Sequence, residues 1–215
     1  MKKKDKKKIA IIFSSSILLK MKNGKNIDKH DYVVRFNRSP TLNFEEYVGS
    51  RTDLRVINEH VFKNQKYNDS SWSDVDYNFI KSLMNESIMV VSNNKIYDFI
   101  KYEINDNEYK YLHQNFFFKL RIFYKFIFYP ELIKIFFKIV FEKKNFSVGL
   151  TYLFYSLLNK KNEITLFGFD KFENMKYRSH YFENTGKPGG YHNLDLEHKL
   201  IIKLYSKNLI KIIDN

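Results

Sequence analysis

Cysteine is missing altogether from the 215 residues. That excludes a disulfide framework, a thiolate zinc site and a cysteine nucleophile, and it fits a reducing compartment. No run reaches the ~18 uninterrupted apolar residues that a spanning helix needs. No internal repeat is visible. Acidic residues are in the minority, 24 against 37 Lys and Arg, for a net charge of +13. The opening "MKKKDKKK" supplies +5 of this and leaves +8 for the rest of the chain. A basic body suits an anionic partner such as a nucleotide, a phosphate, a lipid headgroup or a nucleic acid, although a Lys- and Asn-rich composition also follows from biased codon usage.

Short apolar, β-branched runs are present at 9–13, 32–36, 54–57, 88–92 and 164–169. They lack the polar alternation of a half-exposed strand and predict strands buried on both faces of a parallel sheet. Residues 1–8 read as a basic tail, and 9–215 are expected to form a single domain. "MKKKDKKKIAIIFSSSILL" resembles the start of a signal peptide, but no small-residue cleavage site follows, so "IAIIF" is expected to be a strand. Helical patterns cover 147–158 and 194–207, the latter with Leu196, Leu200 and Leu204 four apart and Ile201 beside them. Strands alternating with helices predict an α/β fold. Residues 58–78 are polar and expected to be loop. Residues 116–141 differ in kind, with nine phenylalanines, two tyrosines, five basic residues and one acid. They predict a separate helical hairpin bent at Pro130, or a lid. An interfacial helix of this composition would lie on an anionic membrane.

In open α/β sheets ligands bind at the carboxyl ends of the strands. Three serines, Ser14–16, follow the first run, and hydroxyls and backbone amides at a strand-to-helix turn can hold a phosphate. Asn37 follows the second run and suits either ribose or phosphate, or an Asx-turn entering Pro40. His180 and His192 both follow the last long run. Asn193 suits an N-cap, with Asp195 and Glu197 in the first helical turn. The positive end of that helix disfavours imidazolium at His192, leaving a ring able to accept a proton. No Asp-x-Asp sits at a predicted strand end, which speaks against a metal-dependent nucleotide-sugar site.

Residues 23–58, "NGKNIDKHDYVVRFNRSPTLNFEEYVGSRTDLRVIN", resemble the large sialyl motif of the eukaryotic-type sialyltransferases, glycosyltransferase family 29. The matching positions include Gly24, Ile27, Asp28, His30, Asp31, Arg35, Asn37, Pro40, Gly49, Arg51 and Thr52. Residues 146–170 resemble the small motif, "HYFE" at 180–183 the third, and His192 with Glu197 the very small motif, His-x4-Glu. Two departures stand out. The first loop, usually Gly-Asn-Ser-Gly, is Phe13-Ser14-Ser15-Ser16, and the small motif opens Phe146-Ser147-Val148-Gly149 instead of Pro-Ser-Thr-Gly.

The resemblance implies a Rossmann-like nucleotide-sugar transferase fold, a GT-A variant, with a mostly parallel sheet and flanking helices. It implies an inverting, metal-independent transfer of sialic acid from CMP-sialic acid to a glycan or glycolipid hydroxyl, with no separate cofactor. His192 would be the general base and His180 would contact the departing phosphate. Ser14, Ser15, Asn37, Ser147 and Gly149 would line the CMP pocket, with Glu197 and Arg51 as structural support. The secretory-pathway cysteines, anchor and stem are not seen, which points to a minimal cytoplasmic enzyme, peripheral on the inner face of a membrane. No nucleic acid is expected. Transfer of another CMP-activated keto-sugar such as Kdo, or a non-enzymatic basic protein on membrane or nucleic acid, are the competing readings.

Overall fold

The computed structural model describes residues 6–58, 61, 83, 86–91, 109–112, 116–141, 146–159, 161–169, 180–182 and 194–213. Seven strands form one sheet: β1 (Lys7–Ile12), β2 (Tyr32–Phe36), β3 (Leu54–Asn58), β4 (Ile88–Val91), β5 (Tyr109–Leu112), β6 (Asn162–Phe167) and β7 (Lys211–Ile213), in the order β5-β4-β3-β2-β1-β6-β7. Every pairing is parallel. The sheet therefore grows outward from β1 as far as β5, then returns to the other side of β1 for β6 and β7. That reversal makes the β1/β6 junction the topological switch point, where open α/β sheets place their ligands.

The apolar runs form central strands because both sheet faces are covered. Ile9 and Ile11 of β1 join Val34, Val56 and Met89 in one core, while Ala10 and Ile12 join Val33 and Phe167 in the other. The first face is covered by α3 (Phe116–Phe126), α4 (Pro130–Phe141), α5 (Val148–Leu158) and α6 (Leu194–Ser206). The second is covered by a 3₁₀ turn (Ser16–Lys20), α1 (Gly24–Asp28), α2 (Glu45–Val48) and the buried ring of Tyr181. The stripe Leu196, Leu200, Ile201 and Leu204 is the buried face of α6.

"IAIIF" is a central strand. Residues 116–141 do form two helices, with α4 opening at Pro130, whose missing N–H is no loss at a first helical position. They are not set apart from the core. Phe118, Ile122, Phe126, Leu132, Phe136 and Ile139 are buried in the same cluster as the strands, because each helix turns one apolar stripe toward α5 and α6. β5 and β7 were not anticipated: "YKYL" and "KII" are too short to show a period. The 58–78 loop lies almost wholly outside the described residues. No described helix is long and apolar enough to cross a membrane.

Candidate functional site

The carboxyl end of β1 runs directly into the serine turn. Phe13 N–H donates to Phe167 O at 2.8 Å, which holds the β1 and β6 ends together. Gly168 stands at that seam with φ +73°, and a Cβ there would lie 2.9 Å from Phe13 O and 2.8 Å from Leu18 Cγ. Only glycine allows the two strand ends to approach so closely. Ser15 caps the 3₁₀ turn, its hydroxyl accepting from Ile17 N–H at 3.3 Å.

His180 is brought to the same place by backbone pairing. Ser15 and His180 form an isolated antiparallel bridge, and Tyr181 N–H donates to Ser14 O at 2.9 Å. Residues 180–182 thus form a strap across the sheet's carboxyl edge. Tyr181 anchors it: its ring is buried, packs on Phe44 and donates through its hydroxyl to Pro40 O. Burial pushes the phenol up to about 12, so it remains a donor at neutral pH. The His180 imidazole is exposed and stacks on Phe182, with ring centres 5.2 Å apart.

The β2 end closes the site from the other side. Asn37 adopts a left-handed conformation, φ 47°, and its Oδ1 accepts from Asn58 N–H at 3.1 Å. The Asx-type local bond and the ligand role were both open for Asn37, and the side-chain oxygen serves to join the β2 and β3 ends. Ser39 is buried, and its hydroxyl meets that of Ser14 at 2.6 Å. Beneath lies Arg55, which donates to Asn37 O and Ser39 O and pairs with Glu86. Ser39 and Tyr181 carry no role in the sequence reading. Their positions inside "NRSP" and "HYFE" were the available clue.

The third wall is the start of α5. Ser147 is its N-cap, accepting from Leu150 N–H at 3.2 Å. The Ser147 N–H donates to the buried Glu197 carboxylate at 2.7 Å, which fastens α6 to α5. The space beside Gly149 is taken by Phe13, whose Cε1 would lie 2.6 Å from an added Cβ. Phe13, in the position that is usually glycine, and Gly149 are therefore shape partners.

Arg51 is not part of this edge. It donates to Asp28 O and His30 O at 2.9 Å and pairs with Asp53, whose carboxylate also accepts from Val33 N–H at the amino end of β2. Asp28 holds the neighbouring turn by accepting from Ser50 N–H, Ser50 Oγ and Arg51 N–H. Burial pushes the Asp28 carboxyl up, but these donors and the Arg35 charge hold it below its ordinary value. Arg35 is wholly buried and donates to Val48 O, Gly49 O, Arg51 O and Thr52 Oγ1. Burial lowers its guanidinium to about 10, which still leaves a cation at neutral pH. The long motif at 23–58 thus divides in two, with structural staples at the amino edge and Asn37, Ser39 and Pro40 at the carboxyl edge.

His192 and its predicted cap Asn193 lie outside the described residues. Among the described residues no three His, Asp or Glu side chains gather to form a metal-holding group.

A parallel α/β sheet with hydroxyls, amides and an imidazole gathered at its switch point is an arrangement suited to holding an anionic ligand such as a nucleotide. The chain belongs to glycosyltransferase family 29 (sialyltransferase), whose model matches residues 1–209. It is similar to the human "Beta-galactoside alpha-2,6-sialyltransferase 1", 35% identical over 89 residues, which cover 41% of this chain and 19% of that protein. It is also similar to the Gallus gallus "Beta-galactoside alpha-2,6-sialyltransferase 2", 31% identical over 101 residues, or 47% of this chain and 16% of that protein. The chain therefore spans less than a fifth of the length of these curated relatives. The fold matches a mammalian sialyltransferase solved with Gal-beta-1-3GalNAc-ortho-nitrophenol, with TM-score 0.61, 22% identity, and coverage of 97% of this chain and 70% of that one. It also matches the Campylobacter jejuni α-2,3-sialyltransferase Cst-I, with TM-score 0.56, 17% identity, and coverage of 99% and 76%.

Proposed function

We propose that this chain transfers sialic acid from CMP-sialic acid to a hydroxyl of a glycan or glycolipid, with inversion. The observation that carries the reading is the strap: backbone pairing of Ser15 with His180 sets an imidazole beside a serine turn at the sheet's switch point. Family membership supports the donor class.

His180 acts at the donor phosphate. As the bond between the sugar's anomeric carbon and the phosphate oxygen breaks, its electron pair moves to that oxygen, and the imidazole N–H stabilises the charge. Ser14, Ser15, Asn37 and Ser147 supply hydroxyl, amide and backbone N–H groups around the nucleotide, and Gly149 leaves room for Phe13. His192 acts on the opposite face of the sugar. It accepts the acceptor O–H proton as that oxygen attacks, and direct attack opposite the leaving group gives inversion. Glu197 holds the helix after His192 against α5, and Arg51 ties the end of the β2–β3 connection to the residues that lead into β2. One phosphate monoester leaving group can be managed by these groups alone, so no cofactor is required.

We also assign the chain to the cytoplasmic side of an anionic membrane, in keeping with its cysteine-free, basic composition. Activity is tested by CMP release from CMP-sialic acid with and without a galactose-terminated acceptor. Acceptor-dependent release is expected. Release only from CMP-Kdo, or from neither donor, overturns the assignment.

A further inference from the structure

We infer that the outer face of α3 and α4 is a docking surface for an anionic bilayer. This rests on the membrane placement just proposed and names the residues that would carry it. The inner stripes of both helices are committed to the core, and their outer faces hold an unusual concentration of exposed aromatic rings. Phe128, in the turn between the helices, is 89% exposed, Phe141 77% and Tyr124 64%. Four rings of the two helices, Phe141, Phe137, Phe123 and Tyr124, are continuous. Phe141 stacks on Phe137 at 5.7 Å, Phe137 meets Phe123 at 5.5 Å, and Phe123 meets Tyr124 at 5.7 Å. Contiguous apolar surface of this kind marks an interaction site.

Charge selects the occupant. Arg121, Lys134 and Lys138 are exposed beside these rings, and on α4 the order Lys134, Phe137, Lys138, Phe141 interleaves cation and ring along one helical face. The only acid of the pair of helices, Glu131, is paired with Lys207 at 2.6 Å. A second copy docked on the same face would set lysine against lysine. A leaflet of anionic lipid instead accepts the rings at the headgroup boundary and the ammonium groups on its phosphates. At twelve residues α4 is about 18 Å long, too short to span and long enough to lie in the interface. The surface is also close to the site. Phe137 touches the buried Phe136, Phe136 touches Phe146, and Phe146 precedes Ser147 at the start of α5. A lipid-linked acceptor would therefore meet the protein near the third wall of the pocket.

The test is flotation of the full chain with phosphatidylcholine vesicles and with vesicles carrying 30% phosphatidylglycerol. Binding to the anionic vesicles alone, weakened by salt, is expected. Phe128→Ser with Phe141→Ser alters only exposed rings and should lower partitioning about tenfold, with the circular dichroism melt unchanged. Lys134→Glu with Lys138→Glu should lower it at least as much at low salt. Acceptor-dependent CMP release, measured with a soluble acceptor and no vesicles, should be the same in wild type and both variants, so a failure of transfer and a failure of docking are read separately. No flotation, flotation unaffected by either pair, or a concentration-dependent dimer that the serine pair dissociates would overturn the inference.

Discussion

At the scale of single residues the two histidines should separate. If His180 meets the departing phosphate as proposed, His180→Ala should weaken CMP binding as well as transfer. His192→Ala should leave CMP affinity nearly intact and lower turnover by ~10²–10⁴, the usual scale for a general base. Isothermal titration with CMP beside turnover measurements checks both, and identical behaviour of the two variants would remove the basis for separate roles. Asp28 gives a pH prediction. Its carboxyl is held below its ordinary value of 3.8, so its contribution to stability is present above that value and is lost as the pH falls through the lowered folded value. Asp28→Asn should flatten that acid limb in urea denaturation followed from neutral pH downward. An unchanged limb would mean that other carboxylates set it.

Among the elements, the start of α5 is constrained by the ring packed against it. An added Cβ at Gly149 would overlap the Phe13 ring, and Phe13 is itself packed on Phe36 and Phe169. Gly149→Ala should therefore destabilise the fold by about 1–3 kcal/mol, the usual cost of overpacking. Phe13→Leu in the same chain should recover part of that loss in thermal unfolding. Failure of the second change to help would mean that the strain lies elsewhere. The same region shows what was legible in the sequence. The central strands could be read because burial on both faces leaves no polar alternation, and α6 because its leucines recur at four. Ser147 as a cap could not be distinguished from Ser147 as a ligand, since one hydroxyl type serves both. The role of Tyr181 depends on Pro40, which is distant in the chain and adjacent only after folding. Phe136 stands between Lys134 and Lys138 in the chain, a pattern that does not mark it as core, yet the helix turns it inward while both lysines stay outside.

For the whole molecule, the phosphate is assigned to imidazole, hydroxyls and amides, so transfer should persist in EDTA. The one Asp-x-Asp of the chain, Asp74 and Asp76, lies outside the described residues. Loss of activity in EDTA with rescue by magnesium or manganese would mean that a divalent ion takes part after all.

The place of β1 also sets an order of events during synthesis. Its partner β2 follows soon after, but its other edge pairs with β6, Ile9 with Ile164 and Ile12 with Phe167. At ribosomal speed that partner arrives on the order of ten seconds later. Until then the middle of the future sheet is an uncovered apolar edge, a template for pairing with another chain. A chain ended after residue 160 should consequently be recovered as aggregate while the full chain stays in solution, as sedimentation of the two translation products would show. For the nascent protein, the seam that later frames the pocket is an exposed liability, and it closes only once β6 has been made.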